Sequence, residues 1–321
     1  MSELFSKESR KHYVYVLFCG IAMGSADIVP GVSGGTMAFI LGIYEELIQS
    51  IRAAARPTFL KAVVQLRLKD ALEAVNAPFL AALATGIFLA VLTLAQVLEW
   101  ALEHYPTWVW SFFFGLVAAS VWLVGRRVQT WKPSYLLIMA ISTLFTFLLV
   151  GSIPAQTPHT LPWLFFSGMA ASVAMILPGI SGAFILVLLG KYQYILGAVN
   201  DREVFVLGTV GLGVILGLVT ISQILGWLFK RYHDLTVALL TGFLLGSLRK
   251  LWPWKEALET VVVDDYTITL REQMIWPQWG GETAVALGLM LLGAALVALL
   301  ERQAAGNRAD TQDAPSLFTA R

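Results

Sequence analysis

The stretch from Gly24 to Tyr44, GSADIVPGVSGGTMAFILGIY, has a second copy, MILPGISGAFILVLLGKY, running from Met175 to Tyr192. The copies align without a gap at an offset of 148 residues: Pro30 with Pro178, Gly31 with Gly179, Ser33 with Ser181, Gly34 with Gly182, Gly42 with Gly190 and Tyr44 with Tyr192. Each copy has apolar runs on both sides of a Pro-Gly-x-Ser-Gly break. Proline removes a backbone donor and disfavours helix in the residue before it, glycine admits positive φ, and serine is a favoured N-cap. One helix is therefore predicted to end at Pro30 or Pro178 and another to start at Ser33 or Ser181, so that two half-helices meet at a polar tip. Irregular backbone at membrane depth survives only where protein or a water-filled cavity satisfies it. The duplicated break thus points to a site rather than to a plain turn between two spans.

The surroundings are those of a membrane. Residues of the set AVILMFWYC make up 57% of the chain, 13% are charged and mean hydropathy is +0.72, far from the charged fraction of a soluble domain. A polytopic, all-α membrane protein is predicted. The lone Cys19 rules out an intrachain disulfide and reads as a small buried apolar residue. A formal net charge of +1 gives no sign of a nucleic-acid partner. The basic start, Lys7, Arg10 and Lys11, followed by an apolar stretch resembles a signal peptide, but Phe18 is too bulky for a cleavage site and the stretch runs on into the motif, so it reads as retained.

Along the chain, the first hairpin is expected over Tyr13 to Val29 and Ser33 to Ile48. Its arms total roughly 50 Å of helix, too long for one crossing of a core of about 30 Å, so both ends lie on one side. Arg52 to Asn76, with Arg52, Arg56, Lys61, Arg67 and Lys69 among apolar residues, suits a basic amphipathic helix on the inner surface or a solvated linker. Spans are predicted at 77–102, 107–124, 134–152, 204–229, 235–248 and 282–300, with tryptophans near their ends as in an interfacial belt. Counting crossings from a cytoplasmic N-terminus keeps most Lys and Arg inside, along with the C-terminal tail. Lys191, Arg202, Arg249 and Lys250 are exceptions, and the stretch with Asp264 and Asp265 falls outside.

The repeat continues past the hairpin at an offset of 127 residues, where Gly86, Gln96, Trp100, Tyr105, Gly115 and Ser120 match Gly213, Gln223, Trp227, Tyr232, Gly242 and Ser247. Repeat one thus covers residues 12–124 and repeat two 161–250. A connecting helix at 134–152 lies between them, and a C-terminal helix at 282–300 and a tail at 301–321 follow. Each repeat is one re-entrant hairpin plus two transmembrane helices. The odd number of crossings between the hairpins makes the two repeats inverted in topology, as in many secondary transporters.

The second half-helices begin at Ser33-Gly34-Gly35-Thr36 and Ser181-Gly182-Ala183, where unpaired N–H groups, the positive helix end and small residues suit an anion, phosphate being the natural occupant. Candidate substrate-binding residues are Asp27, Pro30, Gly31, Ser33, Gly34, Gly35, Thr36, Pro178, Gly179, Ser181 and Gly182. Asp27, whose place in the second copy is held by Met175, reads either as a proton or sodium coupling group or as a cap of the tip. Glu45 is a further coupling candidate, although Glu45, Glu46 and Lys191 sit near the hairpin ends where ordinary interfacial charges occur. Gln96 and Gln223 read as interhelical hydrogen-bond partners or cavity lining. The Gly-x-Ser-Gly segments also look like those of rhomboid intramembrane proteases. A nucleophilic serine needs a base within reach, however, and His12, His104, His159 and His233 all fall in loops or at span ends. No metal-ligand cluster and no cofactor motif appears.

Together, AMGSADIVPGVSGGTMAFILGIYEELI and MILPGISGAFILVLLGKY resemble the paired signature of the PopT polyprenyl-phosphate transporters, bacterial and archaeal membrane proteins, over residues 12–300. Ala183 departs from the small polar residue expected there. The resemblance implies a transporter, not an enzyme, that returns undecaprenyl phosphate, the lipid carrier of cell-wall and surface-glycan assembly, from the outer to the inner leaflet of the bacterial cytoplasmic membrane. The residues alone imply an inverted-repeat carrier of an anionic substrate, and an anion channel or small-anion carrier would use the same two helix ends.

Overall fold

The computed structural model describes residues 7–29, 32–155, 157–263 and 266–312. Two signature residues, Pro30 and Gly31, and the acidic pair Asp264 and Asp265 lie outside these. The first repeat begins with α1 (Lys7–Ile28), α2 (Gly34–Ile40) and α3 (Tyr44–Ala53), continues through α4 (Pro57–Val64) and α5 (Leu68–Ala74), and reaches the long helices α6 (Ala77–His104) and α7 (Pro106–Gly125). Next comes α8 (Pro133–Leu149), and then α9 (Leu161–Ile176), α10 (Gly182–Leu188) and α11 (Tyr192–Asn200). The chain closes with α12 (Val204–Arg231), α13 (His233–Leu251), strands β1 (Lys255–Val263) and β2 (Tyr266–Met274), and α14 (Gly281–Gln312).

Every predicted span coincides with a helix. Among the described residues, α6, α7, α12 and the 281–302 part of α14 are long and apolar enough to cross a membrane, while α8 and α9 are apolar but shorter, at 17 and 16 residues. The protein is a predominantly helical, multi-pass membrane protein. The all-α expectation holds for this body but omits the antiparallel hairpin of β1 and β2, in which Lys255 faces Met274 and Ala257 faces Glu272.

The second arms of the predicted hairpins are not continuous helices. Both stop at the repeated glycines: Gly42 has φ +78° and Gly190 φ +64°, a left-handed backbone that ends a helix at little cost in glycine. After that corner α11 leaves α10 at 106°, so each returning arm is only seven residues long. The basic segment is likewise not one helix. Pro57 at the start of α4 and the left-handed Leu66 (φ +54°) divide it into two short helices. Their apolar side chains, including Val64 at 83% and Leu66 at 81% exposure, point away from the protein.

Glycines let the main helices touch backbone to backbone. In the α1–α6 contact a Cβ at Gly86 would overlap the Leu17 carbonyl, and in the α9–α12 contact a Cβ at Gly213 would overlap the Phe165 carbonyl. Leu17 and Phe165 are related by the first repeat offset, Gly86 and Gly213 by the second. Gly115 of α7 lies against Met290 of α14, and its repeat counterpart Gly242 of α13 lies against Met139 and Ser142 of α8. Contact-forming small residues of this kind are what helix association inside a bilayer requires. The helix that follows each repeat thus docks on the other repeat, and the two contacts are alike.

Candidate functional site

The residues flanking the two helix breaks meet. Helix α1 ends two residues before Pro30 and α9 two residues before Pro178, and Ser33 and Ser181, both extended, cap the helices that follow. Ser33 Oγ accepts from Gly35 N at 3.2 Å, and Ser181 Oγ accepts from Phe184 N at 3.5 Å. Between the breaks, Gly179 N donates to Thr36 Oγ1 (2.8 Å), Ser33 Oγ donates to the Met175 carbonyl (3.3 Å), and Tyr44 Oη donates to the Ile176 carbonyl (3.1 Å). The orphan carbonyls at the end of α9 are therefore satisfied by the first repeat's tip. A Cβ on Gly35 would sit 2.8 Å from both of them, which explains why that residue has no side chain.

The interlock divides the predicted site residues. Ser33 and Thr36 are each 1% exposed, and Gly34, Gly35, Pro178 and Gly179 are buried with them. Asp27, Ser181 and Gly182 are partly exposed, and Asp27 and Ser181 line a cavity of about 850 Å³. Asp27 Oδ1 accepts from Gly34 N at 2.6 Å, so this carboxylate caps α2 while its side chain also reaches the cavity. The repeated tyrosines diverge in the same way. Tyr44 is buried between Phe39 and Phe229, whereas Tyr192 is 40% exposed and lines the cavity. Glu45 lies exposed in the first turn of α3 and is not part of the cavity wall.

Three cations line the cavity along with Ser181: Arg249 and Lys250 at the end of α13 and Lys255 at the start of β1. The sequence marks the first two only as exceptions to the expected charge bias of the loops, and that exception is the one signal of the cluster that it carries. Arg249 Nη1 donates to the Phe147 carbonyl at 2.8 Å, and its guanidinium lies 4.4 Å from the Phe147 ring centroid. Lys255 Nζ donates to the Lys250 carbonyl at 2.7 Å and lies 4.1 Å over the Trp110 ring. Burial pushes Lys255 down to about 8. Burial alone would raise Glu272, but Lys255 and Lys250 beside it hold its carboxyl below the usual range.

Two further polar side chains have partners that the sequence does not show. Lys191, expected as an interfacial charge, is bonded inside the protein. It is fully buried, its Nζ donates to the Thr157 carbonyl at 2.5 Å and lies 3.3 Å from His159 Nδ1, and the 152–154 segment beside it lines the cavity. Gln223 is an interhelical hydrogen-bond partner, one of the two roles expected of it: it clasps Arg52, accepting from its Nε at 2.7 Å and donating to its carbonyl at 3.2 Å, which ties α3 to α12. Among the described residues neither Ser33 nor Ser181 is hydrogen-bonded to a histidine; His12 lies by Glu46, His104 by the Trp100 carbonyl, His159 by Lys191 and His233 by Asp234.

A multi-pass helical protein with two interlocked helix breaks beside a cation-lined cavity is a membrane transporter in class. The undecaprenyl phosphate translocase-like family (VCA0040-like) matches residues 23–268. The chain is 41% identical over 305 residues to a protein of Vibrio cholerae named polyprenyl-phosphate transporter, covering 91% of this chain and 97% of that one. It is also 31% identical over 255 residues to a polyprenyl-phosphate transporter of Staphylococcus aureus, covering 73% and 84%. The chain belongs to the undecaprenyl phosphate translocase-like family. No solved structure matches it significantly.

Proposed function

We propose that this protein carries undecaprenyl phosphate from the outer to the inner leaflet of the bacterial cytoplasmic membrane, recycling the lipid carrier, with both termini cytoplasmic. The observation that carries the reading is the cavity that Ser181, just before α10, lines together with Arg249, Lys250 and Lys255. A phosphate monoester carries about −1.5 to −2 charges at neutral pH and offers oxygens that such cations bind strongly. Support also comes from the relatives, named for polyprenyl-phosphate transport.

In this reading the two repeats are inverted in the membrane and the hairpins are re-entrant. The like backbone contacts made by Gly86 and Gly213, and by Gly115 and Gly242, favour it, because two helices of the first repeat and the connecting helix α8 then separate the hairpins by an odd number of crossings. The cavity belongs to the outer face, where the 150–155 loop and the β-hairpin gather, and the prenyl tail stays in the bilayer. Headgroup recognition falls to Ser181, Gly182 and the three cations. Ser33, Gly34, Gly35, Thr36, Pro178 and Gly179 hold the tips together and are released for the substrate as the repeats move.

Transport in proteoliposomes tests this reading by comparing undecaprenyl phosphate with inorganic phosphate and chloride. Movement of the lipid alone is expected; chloride flux without lipid movement would instead make the protein an anion channel.

Asp27 is the proposed coupling group for protons or sodium, since it is a carboxylate that reaches both the cavity and the tip. An asparagine retains the oxygen that accepts from Gly34 N, so Asp27→Asn is expected to cost no more than about 1 kcal/mol of stability. The variant should remain membrane-inserted while transport loses its dependence on pH or sodium. Unchanged ion dependence in well-folded Asp27→Asn would leave the residue only a cap.

Lys255 sets a pH window. Its ammonium attracts phosphate, and it loses its proton as pH passes about 8. Affinity for a short-chain prenyl phosphate is therefore expected to fall several-fold between about pH 7 and pH 9.5. A bound dianion raises Lys255 again, so binding near that pH takes up a proton, measurable by calorimetry in buffers of different ionisation enthalpy. Lys255→Gln should abolish the uptake.

A further inference from the structure

The lysines of the cavity hold a carboxylate of the protein itself. Glu272 Oε2 lies 3.1 Å from Lys250 Nζ and 3.6 Å from Lys255 Nζ, bridging the two ammoniums as a phosphate oxygen would. The strand register delivers it there. Lys255 pairs with Met274 and Ala257 with Glu272, so Lys255 and Glu272 are diagonal neighbours on one face of the hairpin. The lysines do not depend on Glu272 for their position, because Lys255 is fixed by the Lys250 carbonyl and the Trp110 ring, and Lys250 lies near the Phe184 ring. The carboxylate contributes charge rather than scaffolding, and it lowers the net positive charge of a site whose other carboxylate is Asp27.

We propose that Glu272 is a specificity-determining residue of this cavity: it occupies Lys250 and Lys255 in place of phosphate, yields to a single phosphate, and repels the additional charge of a second. The inference rests on reading the cavity as the headgroup site. When a phosphate takes the lysines, Glu272 is displaced but stays tethered to β2 at the cavity wall. Its repulsion then acts on whatever anion has entered and grows with that anion's charge. A prenyl monophosphate is accepted, whereas a prenyl diphosphate, which carries more charge on the same tail, is disfavoured. The site thereby discriminates by an unfavourable contact with the wrong ligand as well as by favourable contacts with the right one.

Equilibrium binding of farnesyl phosphate and farnesyl diphosphate to the purified full-length protein tests this. Wild type is expected to prefer the monophosphate. Glu272→Gln should tighten both ligands, the diphosphate by about tenfold more than the monophosphate, so that the preference collapses. Met274→Glu, which adds a carboxylate at a cavity position on the same face of the hairpin as Glu272, should widen the preference and provides an independent arm if the first variant folds poorly. If wild type binds both ligands and neither variant changes their ratio, Glu272 has no selective role. If wild type binds neither ligand, the headgroup reading of the cavity fails, and this inference fails with it.

Discussion

Gly35→Val and Gly182→Val are expected to reduce transport of undecaprenyl phosphate to about a hundredth of wild type at matched membrane abundance, the scale of roughly 3 kcal/mol of overpacking strain. The obstacles are backbone atoms, which cannot rotate away as a side chain can. A Cβ at Gly35 meets the Met175 and Ile176 carbonyl oxygens at 2.8 Å, and one at Gly182 meets the Ala171 carbonyl oxygen at 2.6 Å. The serines beside them should matter less, and unequally. Ser181→Ala removes one long cap contact at 3.5 Å and is expected to cost about 0.5–1.5 kcal/mol. Ser33→Ala removes both the cap to Gly35 N and the bond to the Met175 carbonyl in a buried place, and is expected to cost about 1–3 kcal/mol. A serine nucleophile predicts the opposite ranking, because alanine deletes the reacting atom. Lipid transport by the four variants decides the matter, and inactive serine variants beside active glycine variants would overturn the interlock.

The second large effect belongs to the cavity cations. Lys250→Gln is expected to weaken binding of a short-chain prenyl phosphate about ten- to a hundredfold, as loss of a charge-assisted hydrogen bond of about 1.5–3 kcal/mol implies. Binding of the uncharged prenol should not change. Adding Arg249→Gln should weaken phosphate binding further, although part of that effect will come from freeing the Phe147 carbonyl, to which Arg249 donates. The salt dependence of phosphate binding should become shallower in both variants, since fewer charges remain to be screened. Equal binding of phosphate and prenol by wild type would separate the cavity from headgroup recognition altogether.

Both effects depend on an asymmetry between two similar hairpins. The first tip is enclosed by the second repeat, while the start of α10 is open to the cavity. Alternating access calls for such an arrangement if the repeats exchange roles during the cycle. In that exchange the hydrogen bonds from Gly179 N, Ser33 and Tyr44 are the contacts that must break. They are few and individually modest, so the tips can part without unfolding either hairpin.

The sequence by itself determined the spans, the repeat, the helix breaks and the caps. Each depends on local chemistry: a long apolar run must be helical in lipid, proline ends a helix and serine starts one, whereas the left-handed corners at Gly42 and Gly190 interrupt arms expected to be continuous. The same local signals gave Asp27 and Ser181 as site residues, and both reach the cavity. Only the tertiary structure decided which tip faces the cavity and which is enclosed, since Ser33 and Ser181 have the same neighbours in sequence and differ in what packs over them. It alone brought Lys255 and Glu272 to Ser181 through a strand pairing outside the repeat, and it alone buried Lys191 beneath the 157–159 segment. Periodicity and capping are properties of a few adjacent residues. A binding site is made by the meeting of side chains from distant segments, and no local signal encodes that.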